Sequence, residues 1–499
     1  MPRVSRRGFL KTAASAAMAV PLLAQTRPHI ILLMADQYRG DCLGAAGNRE
    51  IQTPYLDRLA RGGVNFRAAY SSTPTCTPAR AALLTGMSPW HHGMLGYGGV
   101  AERYPVEMPR LLSAAGYYTL GIGKMHWHPQ RALHGFERTI LDESGRAETP
   151  EFRSDYRSWF WSERPEDNPD ATGIGWNSCE AKPYALPERL HPTAWIGDTA
   201  VQFLREYREQ QPFFLKVSFE RPHSPYDPPQ RWWDRYNRPL LPAVAGAWAE
   251  KFRPRSSDQT DLWHGDLGPE AVQSARRGYY GSVSFVDEQI GRITEVLESR
   301  GWLNRTLILF TADHGDMLGD QYLWRKSYAY EPSAHIPMLM HWPERLSAGQ
   351  AVTKPVELRD VLPTFLDAAG VAVPRGVDGK SLLRTGGDWR EWIDLEHDVC
   401  YSPDNHWNVL TDGKRKYVFH ARTGTEQFFD LEKDPHELNA LSGTPEIAVW
   451  RKRMVEHLAE RGPDWVRDGK LVPRPNRQLY SPNYPGIPPA LPAASRRTG

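Results

Sequence analysis

The chain has 499 residues, 40% hydrophobic and 24% charged, with a formal charge of +2. That length suits one large domain plus a small one, with the balance of an ordinary globular protein. A charge so near zero argues against nucleic acid, and no run after residue 30 has the length of a membrane span, so no stable membrane insertion is expected.

The first element is "SRRGFLKTAASAAMAVPLLAQT". The adjacent Arg6 and Arg7, followed by a short, mildly apolar run, read as a twin-arginine export signal over residues 1–25. Cleavage near Ala24 would remove Arg3, Arg6, Arg7 and Lys11 and no acid, turning +2 into −2. Such signals export folded proteins through the twin-arginine translocase. A periplasmic or extracellular place in a bacterium is therefore expected, for a protein that takes up a metal or a modification before it leaves.

Short apolar runs then read as buried parallel strands at 29–36, 118–124, 212–219, 307–313 and 337–342. Helical patterns lie between them. "TPYLDRLA" starts at a Thr cap with Pro54 in its first turn. "PRLLSAAG" ends on Gly116, "TAWIGDTAVQFLREY" has helical spacing, and a long segment around "EAVQSARRGYYGSVSFVDEQIGRITEVLESRG" ends at Gly301. Alternating strands and helices predict an α/β fold: a large, mostly parallel sheet sandwiched by helices, over 27–385. From 386 to 470 the texture changes to two or three short strands with turn signals and one helix. This predicts a smaller C-terminal α+β domain with an antiparallel sheet. Residues 471–499 form a Pro-rich tail that wraps the surface or is disordered.

Sites in open α/β sheets form beyond the carboxyl ends of strands. Asp36 and Gln37, then Lys124 and His126, then His223, then Asp313 and His314 all follow predicted strands. The chain has four cysteines, Cys42, Cys76, Cys179 and Cys400; none is expected in an essential disulfide, and Cys42 is read as packed. Cys76 stands in "CTPAR", where Thr77 reads as a helix cap, Pro78 suits the first turn and Arg80 lies one turn in. A thiol at the positive end of a helix beside a guanidinium is an anion pocket. Six tryptophans in segments between strands, Trp159, Trp161, Trp176, Trp232, Trp233 and Trp263, read as packing of long loops; a sugar-stacking or aryl pocket is the alternative.

"CTPARAALLTG" resembles the sulfatase signature, in which the cysteine of C-x-P-x-R is oxidised to formylglycine. "LLMADQYRGDCLGAAGN" resembles that family's first metal stretch, "GIGKMHWH" its G-K-x-H, "RPHSPYDPP" its P-H-x-P, and "TADHGDMLGDQYLWRK" its second metal stretch with a following lysine. "FDLEKDPHELNAL" is similar to its closing segment, so the resemblance runs from about residue 28 to 445. The family belongs to the alkaline phosphatase superfamily.

The resemblance implies a sulfuric ester hydrolase. A metal neutralises the sulfate oxygens. Asp36, Gln37, Asp313 and His314 offer three oxygens and one nitrogen, which favours Ca²⁺ over Mg²⁺ or Mn²⁺, and residue 76 joins them. Formylglycine hydrate at Cys76 would attack sulfur. Arg80 and Lys124 would stabilise it, His126 would act as the base that releases sulfate, and His223 and Lys326 would bind sulfate and protonate the leaving oxygen. Expected partners are a sulfated small molecule or glycan, a formylglycine-generating maturation enzyme and the translocase, with no nucleic acid. Many family members carry an aspartate at the position of Gln37 and an asparagine at that of His314. The forms seen here look more like the branch with choline sulfatases and phosphonate monoester hydrolases. Phosphonate monoester or phosphodiester hydrolysis at the same site is therefore the alternative activity, and a binding protein with an unmodified thiol is a third reading.

Overall fold

The computed structural model describes residues 27–143, 151–398 and 400–489. The twin-arginine segment lies outside them. Among the described residues no helix is long and apolar enough to cross a membrane.

The main sheet has eight strands: β1 (His29–Asp36), β2 (Val64–Phe66), β3 (Tyr118–Gly123), β4 (Arg138–Leu141), β5 (Phe213–Pro222), β6 (Thr306–Ala312), β7 (Met338–His341) and β8 (Gln350–Val352). Their order across the sheet is β4-β3-β5-β1-β6-β7-β2-β8. The central strands β1, β5 and β6 are buried at every residue, which is why their sequences read as unbroken apolar runs. They lie parallel, with Ile30 opposite both Phe214 and Leu307. The run at 337–342 corrects the expectation of a parallel strand. β7 is antiparallel to β6, Met338 facing Thr311, and to β2. A strand covered on both faces is apolar whichever way it runs, so its sequence carries no direction.

The covering helices follow the predicted patterns. They include α1 (Pro54–Gly62), α2 (Cys76–Thr85), α3 (Met108–Ala114), α4 (Pro192–Glu206) and the 31-residue α5 (Pro269–Ser299). In α2 the cap position is Thr75, not Thr77 as the sequence suggested, and Cys76 is already the first helical residue. The whole of α2 is buried, so neighbouring elements rather than an exposed cap fix its start.

The C-terminal sheet has four antiparallel strands, β9 (Ile393–His397), β10 (Trp407–Thr411), β11 (Arg415–His420) and β12 (Thr425–Asp430), where two or three were expected. β9 was hidden because its acids read as loop. Asp394 and Glu396 are nonetheless buried, paired with Arg359 and with Arg461. Helix α6 (Pro445–Leu458) packs Ile447, Trp450, Met454 and Leu458 against Tyr417, Phe419 and Phe428. As far as residue 489 the Pro-rich tail is ordered against the main domain. Leu479 and Tyr484 are buried, and Leu95 N–H donates to Leu479 O at 2.9 Å.

Candidate active site

Five elements deliver one cluster. β1 ends in Asp36 with Gln37 after it, β6 leads into Asp313 and His314, and β5 leads into His223. β3 ends at Gly123, whose φ of +88° and closeness to Ser218 O, 2.2 Å from any added Cβ, leave room for glycine alone before Lys124. Helix α2 supplies Cys76 and Arg80. Lys326 comes from the loop after β6. Of the predicted site residues all are buried except His126, which is half-buried.

Arg80 organises the floor. Its Nη2 donates to Asp36 Oδ2 at 3.1 Å and its Nε to Asp313 Oδ2 at 3.0 Å. Its Nη1 donates to Lys124 O at 2.6 Å and to Ser218 Oγ at 3.2 Å. Lys124 Nζ also pairs with Asp36 Oδ2. The second carboxylate oxygen, Asp36 Oδ1, is buried with no hydrogen-bond partner. Asp313 Oδ1 accepts the backbone N–H groups of Gln37 at 3.0 Å and His314 at 3.1 Å. His314 donates Nδ1–H to Gly315 O at 3.0 Å, which turns Nε2 to Cys76 Sγ at 3.2 Å.

A second layer faces this floor. Lys326 Nζ donates to His223 Nε2 at 2.6 Å and to Gln37 Oε1 at 2.8 Å. His223 donates Nδ1–H to Ser224 O at 2.7 Å, so its Nε2 is the acceptor. Gln37 gives its amide N–H to Asp316; its oxygen keeps one lone pair beyond the lysine. The turn carrying Lys124 and His126 is held by Glu143, whose Oε1 accepts from Met125 N at 2.9 Å and His126 N at 3.0 Å. The His126 ring lies 6.1 Å from that of Tyr97.

The electrostatics follow from this crowding. Burial would raise the Asp36 carboxyl, but the Lys124 ammonium foremost, with the Arg80 guanidinium, holds it well below its ordinary range. Burial and Asp36 push the Cys76 thiol up; Lys326, His314 and Lys124 outweigh them and bring it down to about 6. Burial disfavours the His314 cation, while Asp313 and Cys76 raise its pKa above the ordinary value. The site is thus built to hold an anion at residue 76.

It also fits a cation. Asp36, Cys76, Asp313 and His314 each offer a ligand atom, and these atoms all lie within 4.8 Å of one another. The buried, unbonded Asp36 Oδ1 is what such an ion would satisfy.

The motifs did not single out Glu143, Ser218 or Asp316, because each acts by hydrogen bonding from a position with no pattern of its own. Trp176, expected to pack in a loop, stacks on His223 with centroids 4.3 Å apart and planes at 17°. Its place between strands gave no sign of which ring it meets.

A profile of the family described as Sulfatase matches residues 28–371, more than half of the chain. The chain belongs to the sulfatase family. A second profile, "N-sulphoglucosamine sulphohydrolase, C-terminal", matches residues 319–463. An arylsulfatase of Clostridium perfringens is 39% identical to this sulfatase over 472 residues, covering 89% of this chain and 97% of its own. A choline-sulfatase of Rhizobium meliloti is 31% identical over 460 residues, covering 88% and 87%. The crystal structure of a phosphonate monoester hydrolase of Agrobacterium radiobacter superposes with a TM-score of 0.73 at 27% identity, over 87% of this chain and 95% of that one. This sulfatase is a sulfuric ester hydrolase by membership, with the sheet architecture of the superfamily that also holds phosphonate hydrolases.

Proposed function

We propose that the protein hydrolyses sulfate monoesters of aryl or carbohydrate alcohols, using formylglycine made from Cys76. The observation that carries this reading is the position of Cys76. It begins a buried helix, with Sγ 3.2 Å from His314 Nε2 and inside the cluster formed with Asp36 and Asp313. A thiol needed only for packing would not be ringed by two lysines, an arginine and two carboxylates.

In its hydrated form residue 76 carries two hydroxyls on one carbon. One hydroxyl releases its proton to water, the resulting oxygen anion being stabilised by Arg80 and Lys124; that oxygen attacks sulfur, and the bond from sulfur to the alcohol oxygen breaks. The departing alkoxide takes a proton from the His223–Lys326 pair, whose N–N distance of 2.6 Å allows the proton to pass between them. His126 then removes the proton of the second hydroxyl, the carbon–oxygen bond to sulfate breaks, and the aldehyde re-forms. Water rehydrates it. Arg80 and Lys124 carry the negative charge that builds on the residue-76 oxygens. Asp36, Asp313, His314 and residue 76 would hold a divalent cation, with Gln37 as a further ligand. The oxygen-rich set favours Ca²⁺, with Mg²⁺ and Mn²⁺ next, and the ion supplies charge neutralisation for the sulfate oxygens.

A second reading is hydrolysis of phosphonate monoesters or phosphodiesters at the same site. Gln37 favours it, because an amide where many family members carry an aspartate leaves only Asp36 and Asp313 as carboxylates to repel a phosphoryl anion. Turnover of an aryl sulfate and an aryl phosphonate ester by the matured, cation-loaded enzyme separates the two. Faster phosphonate turnover by orders of magnitude would replace the sulfate reading. Intact-mass analysis of the peptide containing Cys76, from the native host, tests the aldehyde itself; an unmodified thiol there leaves a binding protein. The N-terminal segment adds a twin-arginine signal, export to the periplasm or beyond, and encounters with the maturation enzyme and the translocase. N-terminal sequencing of the exported protein checks this, with a start near residue 25 expected.

A further inference from the structure

Arg325 precedes Lys326, and none of the chemistry above uses it. It is 8% exposed, with a φ of +67°. Among the described residues no carboxylate pairs with its guanidinium, and its Nε is buried without an acceptor. Its hydrogen bonds are those of its backbone: the N–H donates to Asp316 Oδ1 at 3.1 Å and the carbonyl accepts from Met317 N–H at 2.7 Å. A buried cation with no counter-charge is costly. Other buried arginines of this chain avoid that cost. Arg39 lies 2.7 Å from Asp41 and 2.9 Å from Asp320, and Arg221 lies 2.7 Å from Glu220 and 2.8 Å from Asp227.

Arg325 has aromatic rings instead. Its guanidinium carbon sits 4.4 Å from the Tyr401 ring centroid. Trp263 lies nearly parallel to Tyr401, at 6.5 Å and 12°. Cation–π attraction offsets only part of a buried charge. Both rings are part-exposed. The Tyr401 loop is also tied to the catalytic loop, through Asn405 Nδ2 donating to Ser327 O at 2.9 Å and Trp407 Nε1 to the same oxygen at 3.2 Å. The unpaired guanidinium thus lies against a loop anchored one residue from Lys326 of the active site.

We propose that Arg325, with the rings of Tyr401 and Trp263, forms a subsite for a second anionic group on the alcohol half of the substrate, a carboxylate or a further sulfate. The inference rests on the sulfate-ester reading and narrows it to esters of acidic alcohols. A guanidinium presents a planar fork of N–H donors that matches an anion two bonds at a time. Flat rings beside it suit an aryl or sugar ring carrying that anion.

The test uses the wild-type chain made in a host that leaves Cys76 as a thiol, loaded with Ca²⁺, so that esters bind without turnover. Calorimetric titration compares 3-sulfooxybenzoate with its neutral amide, 3-sulfooxybenzamide. The carboxylate is expected to bind about tenfold more tightly or better. Arg325→Gln should bring the ratio close to one without lowering the thermal midpoint, since it removes an unpaired buried charge. Arg325→Lys, which keeps the charge and loses the fork, should fall between them. Substituting 3-sulfooxybenzenesulfonate for the benzoate shows whether the subsite takes a sulfate-like group as well. A wild-type ratio near one, or a tenfold ratio that survives both replacements, overturns the subsite and leaves the sulfate-ester reading standing. Failure of every ester to bind overturns both.

Discussion

Arg80 and Cys76 sit four residues apart on one buried helix, and they answer to different tests. Arg80 neutralises two carboxylates at once, Asp36 at 3.1 Å and Asp313 at 3.0 Å. Arg80→Met would leave Asp313 without its ion pair and Asp36 with Lys124 alone, and breaking a buried pair in this way costs about 3–5 kcal/mol. Urea unfolding of the cation-free variant should show that loss. Divalent cation should restore part of it, because the ion binds only the folded form and takes over the neutralising role. A loss below about 1 kcal/mol would mean that the two acids are balanced elsewhere. Cys76 is different: it bears no fold-holding charge pair. Cys76→Ala removes one sulfur atom from a packed site, a change of about 1 kcal/mol, while ester turnover disappears. A Cys76→Ala protein that still hydrolyses sulfate esters would remove residue 76 from the chemistry; one that fails to fold would make it a packing residue.

Between elements, the join of α1 to α5 shows how a buried carboxyl couples packing to pH. Asp287 on α5 accepts Leu56 N–H at 2.7 Å and Tyr55 N–H at 3.2 Å, satisfying the first turn of α1. Burial pushes its carboxyl up to about 7, against the lowering effect of those two N–H groups. Below about pH 4 the acid is protonated both folded and unfolded. Between there and pH 7 only the folded form keeps the proton, so the stability this group contributes is full in acid and is lost as pH rises through 7. From pH 5 to pH 8 the loss should be about 2–3 kcal/mol. The difference in urea midpoint between wild type and Asp287→Asn should shift by that amount across the range, with the variant favoured at the alkaline end. A pH-independent difference would place the pKa of Asp287 near its ordinary value. This join was not legible in the sequence, although both helices were. Apolar periodicity marks a helix, whereas one aspartate among the charged residues of α5 gives no sign that it faces another helix. The same holds at the site. Asp36, Lys124, His223 and Asp313 were readable because each follows a buried apolar strand, and the sheet edge gathers them. Glu143 follows β4, whose residues are half exposed and patternless, so nothing marked it as the support of the Lys124 turn. The antiparallel course of β7 and the acidic strand β9 stayed hidden for a related reason: direction and ion pairing are settled by partners far away in the chain.

At the scale of the whole molecule, the small sheet is fastened to the main domain by a buried ion cluster and a shared apolar core. Lys416 on β11 is buried and reaches Glu331 at 2.7 Å, Glu437 at 2.8 Å and Ala329 O at 3.0 Å. Around it, Tyr70, Leu323 and Tyr328 of the main domain share one apolar cluster with Ile393, Trp407, Val418 and Phe429 of the small sheet. Burial disfavours the Lys416 cation, and the two glutamates more than compensate and raise its pKa. One ammonium thus balances two carboxylates, so it cannot be removed alone. Lys416→Met should cost about 3–5 kcal/mol. Adding Glu331→Gln and Glu437→Gln to it should return much of that, because what destabilises the single variant is the pair of stranded charges rather than a lost contact. Since the cluster and the triad both span the two parts, heating should give one cooperative transition in calorimetry, lower in the single variant and partly restored in the triple. Two separate transitions in the wild type would show that the parts fold independently. In that case the loop bearing Tyr401 could leave the active site without unfolding the large domain.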